Sequence, residues 1–157
     1  MIQRFTFGCP LPTESVVLPV EPAAAAVPYL TAEPDGSWSF SLAEDAVVYG
    51  LGEMPRGINK RGWHYVTYNT DESHHGENRL SYYGAHNFLL IDGGAGRSVF
   101  GVFVDFPGKV FYDIGYTRHD RLTFRTEEPD YDLYILTGDS PNAVCTEFRK
   151  LIGHSYI

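Results

Sequence analysis

Apolar and polar residues alternate with a period of two through much of this chain. Trp38, Phe40 and Leu42 trade places with Ser37, Ser39 and Ser41 behind an Asp35-Gly36 turn, the pattern of a half-buried strand. Residues 2–7 alternate in the same way. With the β-prone stretch 15–18 they predict short edge strands parted by Pro10 and Pro12. Further strands are predicted over 47–51, 63–68, 86–91, 98–106, 109–114, 121–126 and 131–136, at the spacing of about 8 to 12 residues typical of a sandwich. Gly93-Gly94-Ala95-Gly96 reads as the connection of a hairpin, and Asn59-Lys60-Arg61-Gly62 as a turn. Residues 19–34 hold Ala23 to Ala26 between prolines, too short for a stable helix, and read as a loop or extended arm. Residues 69–81 are polar with no period of either kind, which predicts a long loop.

The period changes once. Ser140 is a good N-cap, Pro141 suits the first helical position, and Val144, Phe148, Leu151 and Ile152 follow helical spacing up to Gly153. One helix is expected over 140–152. The last residues, His154 to Ile157, form neither a polar tail nor a cap, and the end reads as a cut.

Composition agrees with this reading. The 157 residues suffice for one domain with a single core, and 15% aromatics beside 16 Gly and 10 Pro favour strands and tight turns. The expected class is all-β, an antiparallel sandwich with one C-terminal helix. A formal charge of -8 argues against nucleic acid and anionic lipid as partners. No apolar run approaches the roughly 20 residues of a membrane-spanning helix, and residues 1–10 lack a signal-peptide core, so a cytoplasmic location is expected. Cys9 and Cys145 stand 136 positions apart without a CxxC pair, which predicts buried or inert thiols and no disulfide. The chain is too short for a (β/α)8 barrel, which needs about 250 residues.

Local motifs offer little chemistry. His64, His74, His75 and His86 lie near Glu72 and Glu77 but lack a spacing that puts two imidazoles on one face, so no metal is expected. There is no GxSxG elbow, and no Lys-Ser/Thr follows the glycine run as a phosphate loop requires, so no cofactor is expected. Acid and base carboxylates cannot be picked from 20 acidic residues by spacing.

An ordered set of segments is more informative: Tyr49-Gly50-Leu51-Gly52-Glu53, Asn59-Lys60-Arg61-Gly62, Tyr68-Asn69-Thr70-Asp71, Tyr83-Gly84-Ala85-His86-Asn87-Phe88, Phe100 to Asp105, Asp113-Ile114-Gly115, Asp132-Leu133-Tyr134 and Phe148 to Gly153. In this order they resemble the N-terminal domain of glycoside hydrolase family 31, the α-glucosidases, most like those of gut bacteria. The resemblance runs from about residue 45 to the end of the chain. It implies a galactose mutarotase-like β-sandwich over 1–139. Residues 140–157 then form the helix and connector to a downstream barrel, which holds the aspartate nucleophile and the aspartate acid/base. The chain alone is then expected to be inactive. The implied partners are that barrel and, in the whole enzyme, an α-glucoside oligosaccharide. Apolar surface that the barrel would cover predicts self-association of the isolated chain.

In the family a loop of this domain reaches over the barrel mouth, and an aspartate on it contacts the sugar. The matching residue is Asp71, with Glu72 and Ser73 as lesser candidates on the same loop. An ionised carboxylate accepts from two sugar hydroxyls through charge-assisted bonds, which suits the role. The alternative is an Asx turn in which Asp71 caps its own loop. Trp63, His64 and Tyr65 could stack on a sugar ring or pack between sheets. Tyr49, Phe88, Phe100 and Phe103 read as core aromatics, and Asp113 and Asp132 as turn or strand-end acceptors. A rival reading is a free-standing sugar-binding or mutarotase-like protein, in which His86 would work with Glu53 or Glu77 as acid and base.

Overall fold

The structure is a computed structural model that describes residues 1–71, 73–94 and 96–154. Its strands are β1 (Ile2–Phe7), β2 (Thr31–Ala32), β3 (Trp38–Ser41), β4 (Val47–Gly52), β5 (Trp63–Thr67), β6 (Ala85–Asp92), β7 (Val99–Asp105), β8 (Val110–Ile114), β9 (Arg121–Thr126) and β10 (Tyr131–Thr137), followed by the helix α1 (Pro141–Ile152). They form two five-stranded sheets, in the orders β1-β10-β7-β6-β4 and β2-β3-β9-β8-β5, and every pairing between strands is antiparallel. The sandwich with one C-terminal helix is the architecture that the alternation and the helical spacing predict.

The sheets meet through the alternate residues of each strand. Phe100, Val102 and Val104 of β7 and Tyr131, Leu133 and Ile135 of β10 face Tyr65, Tyr112, Ile114, Leu122 and Phe124 of the second sheet in one buried cluster. Trp38 Nε1 donates to Tyr131 Oη across the interior at 2.7 Å, so the indole N–H is satisfied where water is excluded. The other face of the first sheet is covered as well. Phe88, Leu90, Phe103, Tyr134 and Leu136 pack beneath Val144 and Leu151 of α1 in a second cluster, and the Phe88 and Phe148 rings stack at 3.9 Å. Consequently Tyr131 to Leu136 are buried without interruption. A strand covered on both faces needs an unbroken apolar run, and here Asp132 alone breaks it. Arg4 answers that carboxylate with two bonds of 3.0 and 2.8 Å, and the Thr6 hydroxyl adds a third at 2.6 Å.

The helix begins as its sequence demands: the Ser140 Oγ accepts from the Ala143 N–H at 3.2 Å and Pro141 opens the first turn. Its far end corrects one expectation. Residues 15–18 are no strand, because the N–H groups of Val17 and Leu18 donate to the Leu151 carbonyl at 2.9 and 3.2 Å and cap the helix instead of a sheet. The segment 19–34, predicted as a loop or extended arm, runs irregularly beside β1, with the Ala23 N–H donating to the Arg4 carbonyl, and holds the short β2, which sequence reading missed. Cys9 is exposed, so it is not one of the buried thiols the expectation allowed, and Cys145 is half-buried; both are free. Trp63 and Tyr65 pack against the intersheet core, which decides for packing over sugar stacking at those two positions. Asp113 accepts from the N–H groups of Tyr116 and Thr117, the turn role expected of it.

Candidate functional site

β4 and β5 are edge strands, one in each sheet, and the chain between them closes that side of the sandwich. β4 is irregular where it ends: its register against β6 shifts between Gly50 and Gly52. At Gly50, φ is 120° and an added Cβ would lie 2.1 Å from the Phe88 carbonyl oxygen, so only glycine lets the two backbones approach here. The chain then turns through residues 53–57 and returns along the free edge of β4. There the Lys60 N–H donates to the Val48 carbonyl at 2.7 Å, and the Asn59 Oδ1 accepts from the Val48 N–H at 3.2 Å.

Lys60 is 4% exposed, and its ammonium is caged by backbone. Nζ donates to the carbonyls of Gly57, Pro55 and Met54 at 2.7, 3.2 and 3.3 Å and lies 5.7 Å from the centre of the Tyr65 ring. The carbonyl dipoles replace the hydration that burial removes. Burial nevertheless lowers its pKa from the ordinary lysine value; Glu77 works against that shift and Arg56 adds to it.

The β5–β6 connection, the long polar loop predicted from composition, is fastened to this turn. The Arg56 N–H donates to Glu77 Oε2 at 2.8 Å, its Nη1 donates to the Arg79 carbonyl at 3.2 Å, and its guanidinium lies 4.0 Å over the Trp63 ring. Residues 80–82 then run along the free edge of β5. The Val66 N–H donates to the Leu80 carbonyl at 3.3 Å, the Ser81 Oγ to the Tyr68 carbonyl at 2.9 Å, and the Thr70 N–H to the Tyr82 carbonyl at 3.4 Å. The Tyr82 hydroxyl closes the loop on itself by donating to the Gly76 carbonyl at 3.0 Å.

Asp71 follows Thr70 on this loop. It is exposed, and among the described residues it has no hydrogen-bond or ion-pair partner. No described N–H donates to its carboxylate, as turn capping would require. Ser73 is exposed two residues on, its Oγ 2.9 Å from His74 Nδ1. Glu72, the third candidate, lies outside the described residues.

At the base of the loop a groove of about 400 Å³ is lined by Tyr68, Asn69, His86, Asn87 and Asp105 among others. Much of its polar lining is already engaged. The Asn87 amide accepts from the Thr67 hydroxyl and donates to the Phe106 carbonyl at 3.3 Å, and Asp105 accepts from the Thr13 hydroxyl at 2.5 Å. Burial pushes the Asp105 carboxyl above the usual carboxylate range, opposed by the Thr13 bond. The carboxylates named for a mutarotase-like reading are engaged by backbone. Glu53 accepts from the Gly84 N–H, Glu77 from the Arg56 N–H, and no hydrogen bond joins either to His86 among the described residues. Sequence reading missed Lys60 and Arg56 as anchors, for their contacts lie up to 23 positions away and follow no period.

Comparison with known proteins meets the same domain. Residues 25–113 match the model of the glycosyl hydrolase 31 N-terminal galactose mutarotase-like domain. The alpha-xylosidase XylQ of Lactiplantibacillus pentosus is 31% identical over 113 residues, and the human probable maltase-glucoamylase 2 is 30% identical over 123. These alignments take 72% and 75% of this chain, which spans only 14% and 5% of the two proteins. Among solved structures, the GH31 dextranase of Flavobacterium johnsoniae in complex with isomaltotriose superposes with a TM-score of 0.66 at 22% identity, over 82% of this chain and 15% of that one. The cycloalternan-degrading enzyme of Trueperella pyogenes gives 0.60 at 20% identity, over 72% of this chain and 16% of that one. The sandwich, its helix and the family match over most of the strand-bearing sequence therefore agree: the chain belongs to glycoside hydrolase family 31, as the non-catalytic N-terminal galactose mutarotase-like domain of its enzymes.

Proposed function

We propose that this domain supports a downstream (β/α)8 barrel in a retaining α-glucosidase and lends Asp71 to the barrel's substrate pocket. The observation that carries the reading is an exposed carboxylate without a partner among the described residues, on a loop whose two arms are held by hydrogen bonds to the turn after β4 and to the edge of β5. A carboxylate already engaged by its own loop would have to break those bonds to receive a sugar. Asp71 breaks none among the described residues, and it can accept from two hydroxyls of a terminal α-linked glucose. Ser73 offers a weaker contact beside it, and Glu72 belongs to the reading through the family resemblance alone. In this account the nucleophile and the acid/base are the two aspartates of the barrel, separated as a retaining mechanism requires. The sandwich performs no bond cleavage.

The test compares the chain alone with the same chain continued through its downstream reading frame, assayed on an aryl α-glucoside. The expected result is no hydrolysis by the chain alone and hydrolysis by the continued protein. Hydrolysis by the purified chain that disappears on changing one of its own carboxylates would overturn the proposal.

A further inference from the structure

We propose that Arg56 is a positioning residue for the loop that carries Asp71, acting through residues 77–82 and held in place by the caged ammonium of Lys60. The inference rests on the reading of Asp71 given above and adds to it how the carboxylate is kept in place.

Arg56 has a φ of 70°, a left-handed conformation that L residues other than Asn and Asp seldom adopt. Glycine would take it without strain, and a glycine stands next in the chain at Gly57, with a φ of 73°. A strained arginine at such a place points to what its side chain and N–H hold. They hold three things at once: the Glu77 carboxylate, the Arg79 carbonyl and the face of Trp63. The conformation is over-determined from behind as well. Lys60 takes the carbonyls on both sides of Arg56, those of Pro55 and Gly57, and is itself bonded to β4 through Val48. An edge strand, a buried ammonium, the turn over 53–57 and a stacked guanidinium thus form one continuous support.

The route onward to Asp71 is short. Arg79 is followed by Leu80, Ser81 and Tyr82, each bonded to the arm formed by Val66, Tyr68 and Thr70, and Asp71 comes next in the chain. The planar fork matters here. A lysine at position 56 would keep the charge, but it would lose the stacking on Trp63 and the directed N–H that reaches the Arg79 carbonyl.

Amide hydrogen exchange on this chain tests the clamp by itself. In Arg56→Gly the strain is relieved and the fold kept. The amides of Thr70 and residues 73–82 are expected to exchange about tenfold faster, while those of β7 and β10 stay as they were. Arg56→Lys should loosen the same amides. Glu77→Ala, which removes the loop's side of the clamp without touching the turn, should do so even if Arg56→Gly folds poorly. Unchanged exchange over 70–82, or an equal rise throughout the sheets, would overturn the proposal. Asp71→Ala should leave these rates alone, so failure of the sugar contact and failure of the clamp are seen separately. In the longer enzyme, Arg56→Gly should raise KM several-fold and add nothing to Asp71→Ala, as expected for residues acting through one contact. Independent, additive losses would also overturn it.

Discussion

The centre of the first sheet and the loop between β5 and β6 hold their shapes by different means. β7 and β10 are covered on both faces, by the second sheet on one side and by α1 on the other, and their residues need only be apolar and of the right volume. The loop buries almost nothing. Its backbone is fixed by single polar contacts, from the Arg56 guanidinium, the Glu77 carboxylate, and the hydroxyls of Ser81 and Tyr82. The first region carries the stability of the domain, and the second can hold an exposed carboxylate at little cost to it. A substrate contact belongs on the second kind of structure, where a polar group keeps its hydration until a ligand displaces water.

If the division is right, damage to the doubly covered sheet is felt most. Leu136 is fully buried between β10 and α1, close to Val144 and Leu151. Leu136→Ala should cost about 2 to 5 kcal/mol, read as a fall in the denaturation midpoint, through lost transfer energy and the cavity left behind. A loss below about 0.5 kcal/mol would place Leu136 with the surface positions and break the contrast.

A second effect sharpens it at alkaline pH. Burial raises the pKa of Tyr65, Tyr112 and Tyr131, and that of Tyr134 to about 12. The unfolded chain gives up these protons near the ordinary value of about 10, so the stability they confer is whole below that pH. It is lost as pH rises toward and through the folded values. Absorbance titration should therefore show these four buried phenols ionising only as the sandwich opens, in step with the loss of the folded signal. Ionisation of these four near the ordinary value of about 10, with the protein still folded, would contradict it.

The two regions also differed in how far they could be read from the chain. Alternation in 37–42, the hairpin around Gly93 to Gly96 and the Ser140-Pro141 start gave the strands and the helix, because each is set by local pattern or local capping. Residues 15–18 misled for the opposite reason: their β-prone pattern is real, but their N–H groups find the carbonyl of Leu151, more than 130 positions away. β2 escaped notice because two residues carry no period. The long loop was legible only as polar and irregular. Its fastening depends on a left-handed arginine and a lysine buried among carbonyls, neither of which leaves a mark at helical or strand spacing. Asp71 came from family resemblance, and the folded chain adds its exposure and, among the described residues, its freedom from partners.

The most direct test of the central claim measures Asp71→Ala twice, as the melting temperature of this chain and as kcat/KM of the longer enzyme on an α-glucoside. The account predicts a melting temperature almost unmoved, within about 0.5 kcal/mol of stability as for other surface changes. It predicts a loss in kcat/KM worth one or two charge-assisted hydrogen bonds, about 1.5 to 3 kcal/mol each. A large loss of stability in the chain with unchanged kinetics in the enzyme would contradict it, and would make Asp71 a structural residue of its own loop.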